Sequence, residues 1–122
     1  MAVNTSQNFI NASGKLVVVD MAKRSIVTQI ELGGQPDSVA RSKDGKYVAV
    51  VIENERDERV KKGALPQATS GYLTIVDAVG APSTWKTHKV ELRGLATLFP
   101  EDAEPEYVSI NDNNVAVVTL QE

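Results

Sequence analysis

Apolar side chains recur along the chain in short runs of valine, isoleucine and leucine, each bounded by Gly, Pro, Asn or Asp, which is the pattern of strands rather than helices. Eight runs read as strands: Lys15–Asp20, Ser25–Leu32, Asp37–Ser42, Lys46–Glu53, Gly71–Asp77, Lys86–Leu92, Glu106–Asn111 and Val115–Gln121. Two links, Ser42-Lys43-Asp44-Gly45-Lys46 and Asn111-Asp112-Asn113-Asn114, carry residues that tolerate positive φ and predict tight antiparallel hairpins. Lys46–Glu53 and Gly71–Asp77 are apolar at nearly every position, as strands covered on both faces are. Ser25–Leu32 and Thr87–Leu92 alternate, or nearly so, between apolar and polar, and belong nearer the outside. Ser38-Val39-Ala40-Arg41-Ser42 is short and made mostly of small residues, which suits a crowded position near an axis.

The runs also repeat. Gln35-Pro36-Asp37-Ser38-Val39 returns as Glu104-Pro105-Glu106-Tyr107-Val108, and Val48–Glu55 returns as Val115–Glu122. Interleaved with these, Leu16–Asp20 returns as Leu73–Asp77, and Ile30-Glu31-Leu32 returns as Val90-Glu91-Leu92. Repeats of this length mark a modular architecture. The gradient from small, through apolar, to mixed strands fits the four antiparallel strands of a propeller blade from centre to rim. The expected fold is therefore all-β, built of antiparallel four-stranded β-propeller blades, with a closed β-sandwich as the alternative. A polar N-terminal segment (residues 1–14) precedes a two-blade segment (15–122), which holds a half-blade at 15–32, a full blade at 37–92 and a half-blade at 106–121.

In this reading the first half-blade supplies third and fourth strands and the last supplies first and second. Exposed edges of that kind invite pairing. The chain is expected to be a homo-oligomer joined head to tail by strand pairing, about three or four copies closing a ring, or else part of a longer propeller.

Gly33-Gly34-Gln35-Pro36-Asp37-Ser38-Val39, followed by Ser42-Lys43-Asp44-Gly45-Lys46-Tyr47-Val48-Ala49-Val50, resembles the PxxVxxSPDGKxxxV repeat of YVTN-type bacterial β-propellers. With Ile52-Glu53-Asn54-Glu55, Leu65-Pro66-Gln67, Gly71-Tyr72-Leu73 and Thr119-Leu120-Gln121-Glu122 added, the run from Leu16 to Glu122 is similar to secreted phytase-like (esterase-like) propeller proteins. The chain departs from the pattern at Lys43, where the motif has proline, and in having too few strands for a closed ring. The resemblance implies an extracytoplasmic protein that is either a binding scaffold or a calcium-dependent hydrolase of phosphate or carboxylic esters.

Composition narrows the partners. The 122 residues are enough for one domain with its own core, and the absence of cysteine removes disulfides and thiolate metal sites. Aromatic residues make up only 5%, and 16 acidic against 13 basic residues with no basic stripe argue against nucleic acid. No apolar run approaches the roughly 20 residues of a membrane-spanning helix, and Met1–Ser13 lacks the pattern of a signal peptide.

Strand alternation sorts the links onto two faces. One face gathers Asp37, Glu53, Glu55, Asp57, Glu58, Glu101, Asp102, Glu104, Glu106 and Glu122, ten of the 16 acids. Convergent carboxylates suit a hard cation, Ca2+ above all, or paired acids for hydrolysis; acids on long loops are more often simply solvated surface. The candidate metal ligands are Asp37, Glu53, Glu55, Glu104, Glu106 and Glu122. The only histidine, His88, falls on an outer strand, so an imidazole metal site or a Ser-His-Asp arrangement has no support. Trp85 is expected to pack, and Leu95–Pro100 reads as an apolar plug across a blade interface or against a partner chain. The residues point to a binding or scaffold module, with no catalytic set identified.

Overall fold

A computed structural model of the chain describes residues 2–5, 11–64, 67 and 69–121. Leu65 and Pro66, part of the motif quoted above, lie outside the described residues. The chain is all-β and antiparallel. Among the described residues nine strands follow one another: β1 (Ala2–Thr5), β2 (Gly14–Asp20), β3 (Ser25–Glu31), β4 (Pro36–Arg41), β5 (Tyr47–Ile52), β6 (Tyr72–Asp77), β7 (Lys86–Glu91), β8 (Pro105–Ile110) and β9 (Ala116–Leu120). They form three sheets, ordered β1-β2-β3, β4-β5-β6-β7 and β8-β9.

All eight strands expected from the valine-rich runs are present within a few residues of their predicted ends. β1 is additional. It arises from the stretch read as a polar N-terminal segment, and pairs antiparallel with β2, Ala2 opposite Val17 and Thr5 opposite Gly14. Its four residues, Ala-Val-Asn-Thr, are too few to show an alternation, so only the unpaired edge of β2 signals that a strand belongs there.

The four-stranded sheet is the middle layer, and β5 explains why. Val48, Val50 and Ile52 point to one side, where Leu16, Leu32, Tyr72 and Val76 join them in a core shared with the N-terminal sheet. Ala49 and Val51 point to the other side, into a second core with Leu73, Leu92, Ala103 and Val108, lined by Ile110, Val118 and Leu120 of the C-terminal sheet. Successive residues of a strand face opposite ways, so a strand buried on both sides must be apolar throughout. At the rim, β7 is exposed along its whole length. Trp85 packs at the margin of the first core, as expected, with its indole N–H donating to the Gly80 carbonyl at 3.3 Å. The Leu95–Pro100 plug does not pack within the chain: Leu95 and Leu98 are about 70% exposed, at 69% and 73%.

Two hairpins tie the middle and C-terminal sheets together at one end. In the first, the Gly45 amide donates to the Ser42 carbonyl and Gly45 adopts φ of +75°, a conformation glycine reaches without steric cost. In the second, Asn114 takes the equivalent place with φ of +60° and donates to the Asn111 carbonyl. The Ser42 hydroxyl accepts the Tyr47 amide and the Asn111 side chain accepts the Val115 amide, each at 2.9 Å. Across the two turns, the Asn114 side-chain nitrogen donates to Asp44 at 3.0 Å and Lys43 pairs with Asp112. The hydrogen bonds to Asp44 from Asn114, Lys46 and Ser42 hold its carboxyl well below the usual range.

These pairings correct the alignment of the repeat. β4 and β5 pair Val39 with Val50 and Arg41 with Val48, whereas β8 and β9 pair Val108 with Val118 and Ile110 with Ala116. Val48 therefore corresponds to Ala116, not to Val115, and Glu53 to Gln121. The second hairpin is one residue shorter, having no counterpart of Lys46, and a one-residue slip exchanges the faces of a strand.

Ile52 is fully buried at the centre of the first core. Ile52→Ala should cost about 3 kcal/mol, whereas Val27→Ala on half-exposed β3 should change stability by less than about 0.5 kcal/mol. Urea denaturation midpoints compare them directly; equal midpoints would contradict the layered core.

Candidate functional site

Hydrogen bonds of Asn54, Gln67 and Asp102 tie the links on the acidic face to one another. Asn54 ends β5 with φ of +53°, a left-handed conformation that asparagine tolerates better than most residues. Its side-chain oxygen accepts the Gln35 amide at 2.9 Å, and its side-chain nitrogen donates to the Ser70 carbonyl at 3.3 Å. One buried side chain thus joins the links before β4 and after β5. Gly71 completes the junction: a Cβ there would collide with the Pro105 ring and the Ile52 carbonyl.

Two acids on this face serve the fold directly. Asp102 is buried and accepts the Gln67 amide at 2.6 Å. The Gln67 side chain in turn accepts the Asp57 amide and donates to the Asp57 carbonyl. Glu104 is buried, its carboxylate 3.8 Å from the Arg56 guanidinium, while its backbone carbonyl accepts the Gln121 amide. In the stretch before Lys61 the Arg59 guanidinium donates to both oxygens of Asp57.

Of the six candidate ligands, five are described and Glu122 lies outside the described residues. Glu53 is the focus. Burial, then the charges of Asp37, Glu55, Glu104 and Glu106, push its carboxyl up to about 7. A cleft of about 100 Å³ is lined by Glu53, Glu55, Glu58, Glu104, Arg56 and Gln121; Asp37 and Glu106 influence Glu53 from outside its lining. Gln35 fixes one wall by donating from its side chain to Glu55 at 3.1 Å. Among the described residues no three Asp, Glu or His side chains are grouped so as to hold a metal ion. His88 is on exposed β7, its ring nitrogen 2.9 Å from Asp77 and remote from these acids in the sheet order.

Sequence reasoning did not single out Gln121, and the misaligned repeat is why. With the register set by the strand pairs, Gln121 occupies the position of Glu53 in the C-terminal sheet, and both line the cleft. A family model described as the choice-of-anchor I domain matches residues 1–122. The chain belongs to the choice-of-anchor I domain family. No curated protein and no solved structure matches it. In this choice-of-anchor I domain, no helix among the described residues is long and apolar enough to cross a membrane.

Because the Glu53 carboxyl holds its proton up to about 7 in the folded domain and only to 4.5 in an unfolded one, the stability of its neutral form is complete below 4.5 and is lost as pH rises through about 7. Glu53→Gln keeps the neutral shape at every pH. Its melting temperature should exceed that of the parent at about pH 8 and converge with it near about pH 4.5. Parallel melting curves across this range would show that Glu53 titrates as an ordinary surface acid.

Proposed function

We propose that this choice-of-anchor I domain is a binding and scaffold module of an extracellular or cell-surface protein, its sheets being propeller blades of the YVTN and phytase-like kind, completed by strand pairing with further copies or with the rest of a longer parent. The family match is compatible with a surface or binding role. The observation that carries the reading is the C-terminal sheet. It has two strands where the middle sheet has four. Its outer face carries exposed Tyr107, Val115 and Val117, and contiguous exposed apolar side chains mark interaction surfaces.

β1 changes how copies would join. The terminal sheets hold three and two strands, one more than a single split four-stranded blade requires. A partner strand seeking the edge of β2 finds β1 already there. Exchange between copies therefore requires β1 to leave β2, and the chain should associate slowly and weakly beyond its 13.2 kDa monomer mass. Removing residues 1–5 should raise the associated fraction several-fold in light scattering. A single monomeric species for each form at every concentration would overturn assembly between copies.

A second reading is a calcium-dependent hydrolase; its support is the cleft that Glu53 shares with Glu55, Glu58 and Glu104, although among the described residues no three acids are grouped as a ready-made metal site. Such a focus attracts a divalent cation and would relax when one binds. Millimolar calcium should then raise the melting temperature relative to chelator, and Glu53→Gln should abolish the rise. Identical melting with calcium and chelator would sink this reading.

A further inference from the structure

The free edge of β9 lies over an apolar cavity, and the middle sheet contains the template for what fills it. Among the described residues β9 pairs only with β8, so the second edge of Ala116–Leu120 presents unpaired backbone groups. Next to that edge is a cavity of about 130 Å³ lined by Tyr47, Ala49 and Ile75 of the middle layer and by Ile110, Asn114 and Ala116 of the C-terminal hairpin. Its lining is almost wholly apolar. An apolar hollow beside an open sheet edge combines backbone affinity with side-chain selectivity, the two parts of strand-addition recognition.

The register fixes the chemistry of the occupant. β9 corresponds to β5, Ala116 standing for Val48, Val118 for Val50 and Leu120 for Ile52. On β5 the second edge is taken by β6 in antiparallel order, with Val76 opposite Val48, Thr74 opposite Val50 and Tyr72 opposite Ile52. Val76 is fully buried in the first core. The same geometry on β9 puts an aliphatic side chain opposite Ala116, over Ile75, where the cavity is.

We infer that the β9 edge is an acceptor for an extended partner strand of the β6 type, which pairs antiparallel with Ala116–Leu120 and inserts a branched aliphatic side chain, opposite Ala116, into the cavity. This rests on the reading of the domain as a module completed by strand pairing, and it supplies the site and the side-chain pattern of the partner. Alanine at 116, where the β5 counterpart is valine, widens the hollow and selects a larger residue than the middle sheet would admit.

The probe is a synthetic peptide of residues 71–78 of this chain carrying a solubilising lysine tag, titrated into the full chain. Backbone amide shifts should change along β9 and at the cavity, and not along the edges of β3 and β7. Ala116→Leu fills the hollow from within and should weaken the peptide at least tenfold; a peptide with Val76→Asp should weaken as much against the unaltered domain, which removes any doubt about folding of the variant. Peptide shifts on β3 or β7 instead, equal affinity for Ala116→Leu and the parent, or no binding at all would overturn the inference. So would uptake of a small apolar dye by the cavity without peptide binding, which would make it a ligand pocket. Light scattering separates this from self-assembly: a strictly monomeric chain that binds the peptide retains the acceptor site and loses only the pairing between copies.

Discussion

The structure depends on a strand with nowhere to put a polar side chain. β5 is covered on one side by the N-terminal sheet and on the other by the C-terminal one, and Val48, Ala49, Val50, Val51 and Ile52 are all buried. The C-terminal sheet, with two strands among the described residues, is too small to be stable by itself, since a two-stranded hairpin in water is marginal without something to pack on. The middle strand provides both surfaces. Its β-branched side chains satisfy the pleated geometry and the packing together, so the three layers stand or fall as one unit.

That dependence shapes the acidic face. The links that meet there cross the edges of both cores, and their polar groups must be satisfied where water is scarce. Asn54, Asp102 and Glu104 do this, each buried and each bonded to a segment distant in sequence. A carboxylate held by a backbone amide or an arginine is committed to the fold. The acids of this face thus divide into Asp102 and Glu104, which tie loops, and Glu53, whose environment opposes its charge.

Strand positions were legible because their signal is local. Valine-rich runs between turn formers are read directly, and the two hairpins follow from residues that accept positive φ. What escaped notice is non-local. β1 carries too few residues for a pattern, and its place is dictated by the edge of β2. The offset of the repeat is invisible because Val115-Ala116-Val117-Val118 matches Val48-Ala49-Val50-Val51 letter for letter, while only the pairing of Ile110 with Ala116 reveals the true correspondence. Gln121 was hidden for the same reason. That Glu55, Glu104 and Glu106 lie near Glu53 was foreseeable from alternation, but the separation of Asp102 and Glu104, which tie loops, from Glu53 required knowing which loops touch.

The shortened hairpin bears on which changes of turn length the fold accommodates. In a duplicated unit, loss of one residue would ordinarily turn a strand inside out, sending its core side chains to solvent. Here the loss falls within the turn, and Asn114 reproduces the left-handed bend that Gly45 makes in the longer version. The strand beyond keeps its orientation although its letters have slid by one. A turn of this kind can therefore differ by one residue in length while the strand beyond it keeps its faces, because Gly45 and Asn114 both accept the left-handed bend that closes it.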